Sequence, residues 1–149
     1  MKQMKWYGIL FSLLMLFIYT MGLWDIFMML GHDPAYYASH GYGEAVHRYF
    51  TDYPFCFLIL WITNLLCGIM GPILYLLRKK TAGTVMLISC ASDGLLILTT
   101  SIFRNRIGVL GLSVWMFDLW ILAITCGFTF FVKRTEQSTD TQPCRKELL

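Results

Sequence analysis

Four stretches of nearly unbroken apolar residues run through the chain, at about 6–31, 55–77, 82–103 and 107–132, and polar residues collect between and after them. A helix rises about 1.5 Å per residue and the hydrocarbon core of a bilayer is about 30 Å thick, so each stretch predicts a membrane-crossing helix. The first loop carries a different pattern. Val46, Tyr49 and Phe50 fall on one side of a helical projection, and Glu44, His47 and Arg48 fall towards the other. This predicts a short amphipathic helix lying on the outer leaflet, with Tyr36, Tyr37, Tyr42 and Tyr49 as interfacial anchors. Pro54 stands where the second span opens, at a position that tolerates a missing N–H. After residue 132 apolar periodicity ceases, and the polar stretch 133–149 reads as a disordered cytoplasmic tail. The fold class expected is all-α: a polytopic membrane protein whose residues 1–132 form a single four-transmembrane-helix bundle, with a short interfacial helix in the first, outer loop.

Composition narrows the function classes. Of 149 residues 57% are hydrophobic and 14% charged, which leaves too little chain outside the spans for a soluble catalytic domain. There is no serine–histidine–acid arrangement, no glycine-rich phosphate loop and no pair of cysteines at redox spacing, so neither an enzyme nor a cofactor is expected. The five cysteines, Cys56, Cys67, Cys90, Cys126 and Cys144, are odd in number and mostly intramembrane, which argues against a disulfide framework. The net charge of +3 gives no nucleic-acid footprint, because the basic residues sit at the ends of apolar stretches instead of forming a patch. They act as topology signals. Nine of them (Lys2, Lys5, Arg78, Lys79, Lys80, Lys133, Arg134, Arg145, Lys146) fall on one side and three (Arg48, Arg104, Arg106) on the other. The positive-inside rule then places both termini in the cytoplasm, with the first and third loops outside. The opening Met1–Lys5 and the long apolar run after it read as an uncleaved first span.

Each span carries one polar residue that hydrocarbon should exclude: Asp25, Asn64, Asp93 and Asp118. Counted along a helix, the last three lie within about 5 Å of the midplane, and Asp25 lies roughly 10 Å nearer the outside. Small and polar residues extend them into faces, with Trp61, Gly68 and Gly71 beside Asn64, and Gly111, Trp115 and Thr125 beside Asp118. Two arrangements satisfy these groups. They line a polar cavity that takes a proton or polar solute, with Trp61 and Trp115 as flat surfaces for a sugar ring. Alternatively, Arg48, Arg104 and Arg106 neutralise the carboxylates and the ion pairs hold the bundle together, Asp25 being within reach of the two third-loop arginines. The run Gly68–Pro72 is a candidate hinge in the second span. His40, Glu44 and His47, spaced i, i+4 and i+7, would share a helical face and could present imidazole and carboxylate to a transition metal. Gly41 and Gly43 oppose that helix, so no metal is expected.

The segments Gly22-x-x-Asp25-x-x-Met28, Ala35-Tyr36-Tyr37, Tyr49-Phe50, Tyr53-Pro54, Gly68 and Leu76-Leu77-Arg78-Lys79-Lys80 together resemble a family of small bacterial inner-membrane proteins of about this length with four spans, loosely labelled "sugar transporter". The resemblance covers roughly residues 6–89 and implies the same four-span architecture and a transporter-like role for a sugar or other polar solute. Where many relatives begin a helix with Pro-Glu-Gln, this chain has Ser39-His40-Gly41-Tyr42-Gly43-Glu44. The competing expectation is a non-transporting accessory or interaction protein. In either case the lipid bilayer is the first partner, and a homodimer or a larger membrane protein is the next.

Overall fold

In the computed structural model residues 6–140 are described, with side chains as far as Gln137. They form seven helices: α1 (Trp6–Leu30), α2 (Pro34–Ser39), α3 (Glu44–Thr51), α4 (Phe55–Leu76), α5 (Ala82–Arg104), α6 (Arg106–Leu110) and α7 (Leu112–Asp140). Four of these, α1, α4, α5 and α7, are long and apolar enough to cross a membrane. The protein is an all-α, multi-pass membrane protein. Its surface says the same, because Phe17, Trp24, Phe27, Leu66, Phe117, Trp120 and Phe130 stand exposed along the outer faces of the long helices. Lipid, unlike water, accepts such a surface at no cost.

The long helices close into a ring, α1 against α4, α4 against α5, α5 against α7, and α7 back to α1. Small residues set the closest approaches. Gly68 on α4 faces the ring of Tyr19 on α1, and a Cβ there would overlap the ring atoms. Gly71 faces Met86 on α5 in the same way. The expected hinge is not a helix end, since α4 continues through Pro72 to Leu76.

Local chemistry shapes the first loop. Asp33 caps α2 by accepting the Tyr36 N–H at 2.8 Å, with Pro34 in the first turn. Helix α3 has Glu44 in its first turn and Arg48 in its last, favourable at both ends of the helix dipole. The apolar side of α3 does not lie on lipid as expected. Val46, Tyr49 and Phe50 are buried with Met29, Tyr37 and Leu110, so α2, α3 and α6 form a cap seated on one end of the bundle. Burying those rings against protein removes them from water and headgroups together, which is why Tyr37 and Tyr49 are not free interfacial anchors.

The fourth apolar stretch also differs from the single helix expected over 107–132. Asn105 adopts a left-handed conformation (φ 46°) and Gly111 has φ 89°, and between them residues 106–110 form the separate α6. Neither conformation continues an α-helix, and at Gly111 only the absence of a Cβ makes it inexpensive. The spanning helix therefore starts at Leu112. It also runs on to Asp140, so residues 133–140, expected to be disordered, are helical; the rest of the expected tail, 141–149, lies outside the described residues.

Candidate functional site

Side chains from all four long helices meet in the middle of the bundle. The Tyr19 hydroxyl lies 3.0 Å from both Ser89 Oγ and Thr125 Oγ1, and 3.4 Å from Asn64 Oδ1. Ser89 Oγ is 2.7 Å from Asn64 Oδ1 and 2.9 Å from the Asn64 carbonyl oxygen. The Asn64 amide then donates to Asp93 Oδ1 at 2.9 Å. All five residues are buried, and Asp93 is only 8% exposed. Its second oxygen, Oδ2, is buried without a hydrogen-bond partner. Buried polar groups are costly unless paired, so a network closed at every other atom holds the four helices in one register.

Nearer the cap, Arg106 of α6 reaches down to Asp118 of α7. Its Nε and Nη2 donate to the same carboxylate oxygen at 3.0 and 2.8 Å. Burial works against the guanidinium charge, but the Asp118 carboxylate outweighs it and holds Arg106 above its ordinary pKa. Asp25 accepts the Tyr36 hydroxyl, and burial together with that bond pushes the Tyr36 phenol pKa up. On the far side of the Tyr19 network the interior turns apolar: Met15, Met86, Phe128 and Val132 are fully buried. The bundle is polar towards the cap and mainly apolar below, where the buried Ser12 and Thr129 hydroxyls bond back to carbonyls of their own helices.

The expected residues are thus brought together in part. Asn64 and Asp93 meet, and Arg106 pairs with Asp118. Asp25 is bound by Tyr36 where an arginine partner was expected, because the Asp33 cap folds α2 back over the end of α1. Arg104 donates to the Tyr49 carbonyl and stacks its guanidinium 4.7 Å from the Tyr49 ring, while Arg48 pairs with Glu44 at 2.6 Å where both are 77% exposed. Trp61 packs against Phe50 and Tyr53, and Trp115 Nε1 donates to Ser101 at 3.1 Å, so both indoles have partners other than the Asn64–Asp93 pair.

The helical face proposed for His40, Glu44 and His47 does not form, since α2 ends at Ser39 and α3 begins at Glu44. His40 instead stacks on Tyr36 and Tyr42, and His47 stacks on His32 with centroids 4.2 Å apart. Among the described residues no three His, Cys, Asp or Glu side chains converge as metal ligands. A cavity of about 330 Å³ opens on the cap, lined by His32, Tyr37, Tyr42, Glu44 and His47 among others. Tyr19 escaped the sequence reading because a tyrosine inside an apolar run is unremarkable; its signal is Gly68, whose missing side chain makes room for the ring.

No protein-family model, curated protein or solved structure matches the chain.

Proposed function

We propose that the protein is a non-transporting accessory protein of a bacterial inner membrane, which packs its bundle against a larger membrane partner or a second copy of itself. In this reading both termini face the cytoplasm and the α2–α3 cap faces the periplasm, following the distribution of Lys and Arg. The observation that carries it is that the intramembrane polar groups, Asp93 Oδ2 apart, close on one another. Asn64 is committed to Asp93 and Ser89, Asp118 to Arg106, and Asp25 to Tyr36. Polar groups spent in this way fix helix register, and they leave the apolar seal of Met15, Met86, Phe128 and Val132 across the other half.

Two measurements test the reading. A reporter active only in the cytoplasm should work after Lys80 and fail at Tyr42; the reverse overturns the orientation. In reconstituted vesicles a panel of sugars, polyols and protons should move no faster than through empty lipid, and Asp93→Asn should lower the folded yield without changing flux. Saturable flux that Asp93→Asn abolishes while the fold persists would overturn it.

The second reading is a transporter-like protein for a sugar or polar solute, and the cap cavity favours it. Tyr37 and Tyr42 offer ring faces there, and His32, Glu44 and His47 offer hydrogen-bonding groups. Saturable binding of a monosaccharide that Tyr42→Ala removes would support it.

A further inference from the structure

Helices α5 and α7 run antiparallel, and three cross-contacts set their register. Trp115 Nε1 meets Ser101, a methyl group placed on Gly94 would touch Leu122, and Thr129 Oγ1 meets the Met86 carbonyl oxygen. Steps of seven or eight residues down one helix match steps of seven up the other. The same register sets Cys90 opposite Cys126 across the α5–α7 contact, near enough for the two thiols to influence one another. Both are free, Cys90 half-buried and Cys126 exposed. On a spanning helix that exposure is to lipid. Ala123 and Gly127 beside it are exposed as well, and a side chain added at Gly127 would meet open space, so only small side chains stand between the pair and lipid. Asp93 follows Cys90 by three residues, about one turn of α5, so the pair lies next to the Tyr19–Asn64–Asp93 network.

We infer that Cys90 and Cys126 are a redox-active dithiol, oxidised to a disulfide bridging α5 and α7 by a lipid-soluble quinone that reaches the lipid-exposed Cys126 from within the bilayer. The step balances as a two-electron transfer. Two S–H bonds break and one S–S bond forms, and the two electrons and two protons pass to the quinone, whose carbonyl oxygens become the hydroxyls of a quinol. The oxidant is placed in the lipid because charged disulfides such as oxidised glutathione do not enter hydrocarbon. The bridge would tie α5 to α7 beside the Tyr19 network and stiffen the bundle in response to the redox state of the membrane. This inference does not depend on the accessory reading, since the pair forms whether or not a solute crosses.

The test uses the full chain in lipid nanodiscs with Cys56, Cys67 and Cys144 replaced by Ala, leaving the pair. Decylubiquinone is the probe. One quinone should be reduced per chain, two maleimide-reactive thiols should disappear, and peptide mapping should join Cys90 to Cys126 within one chain. Cys90→Ser and Cys126→Ser should each reduce no quinone while remaining folded. Copper–phenanthroline serves as a proximity control. Failure of copper–phenanthroline to bridge the pair overturns the geometry. Bridging by copper–phenanthroline but not by the quinone overturns the quinone as oxidant, as does equal quinone reduction in Cys126→Ser.

Discussion

Replacing Arg106 tests whether the cap is tied to the bundle by a buried ion pair. Arg106 and Asp118 are 13% and 20% exposed, and two donors converge on one carboxylate oxygen, the nearer at 2.8 Å. At an effective dielectric of about 20 that separation corresponds to a gross attraction of about 6 kcal/mol. Desolvation cancels most of it, so the pair is worth little against an apolar pair of the same shape. Removing one partner is different, because the other charge is left buried: Arg106→Met is expected to cost about 3–5 kcal/mol. Asp118→Asn retains an acceptor for the guanidinium and should cost less, about 1–3 kcal/mol. The double variant Arg106→Met/Asp118→Leu should recover about 2 kcal/mol or more relative to the sum of its singles. Reversible unfolding in mixed micelles, followed by helix content as sodium dodecyl sulfate is titrated, gives each value. Asp25→Asn combined with Arg106→Met should be additive within about 0.5 kcal/mol, since Asp25 is held by Tyr36. Additivity of Arg106 with Asp118, or coupling of Arg106 with Asp25, would refute the assignment.

Two further outcomes follow from the core and the cap. Gly68→Ala should destabilise the bundle by about 1–3 kcal/mol by overpacking the Tyr19 ring, and Tyr19→Phe by about 1–2 kcal/mol through loss of the hydroxyl shared by Ser89 and Thr125, both read by the same titration. The Tyr36 phenol is raised in the fold, so its contribution is complete below the ordinary tyrosine value of about 10 and is lost as pH rises through the folded value. Alkaline titration should therefore weaken the wild type above pH about 10, and Tyr36→Phe should flatten that fall; an unchanged alkaline slope in the variant would contradict it.

The long helices were legible because twenty or more apolar residues in succession have few alternatives, and the intramembrane polar residues were conspicuous for the same reason. Their partners were not. Treating residues 107–132 as one helix puts Arg106 and Asp118 about 18 Å apart along an axis, too far to bond. The break at Gly111 lets α6 turn back, and the only marks of that break are Asn105 and Gly111 at the ends of an otherwise apolar run. Asp25 was mismatched for a similar reason, because its partner Tyr36 arrives through the Asp33 cap of a helix the hydrophobic pattern did not announce. Thr125 lay on a stripe visible in the sequence, but its meeting with Ser89 at Tyr19 depends on how four helices close into a ring. Cys90 and Cys126 lie on different helices, and only the antiparallel register reveals that they face one another.

The central claim, that the polar core is closed and holds the bundle instead of lining a path, is tested most directly by the reach of water to Thr125. A Thr125→Cys variant, with Cys56, Cys67, Cys90, Cys126 and Cys144 replaced by Ala, changes little in volume at a fully buried position. A water-soluble thiosulfonate would be added to sealed vesicles from either face, with Glu44→Cys on the exposed cap as the control. The account expects the cap cysteine to label fully while Cys at 125 stays unlabelled until the protein is denatured. Labelling at 125 from either face at a rate near that of the cap control would show an aqueous path to the core and contradict the account.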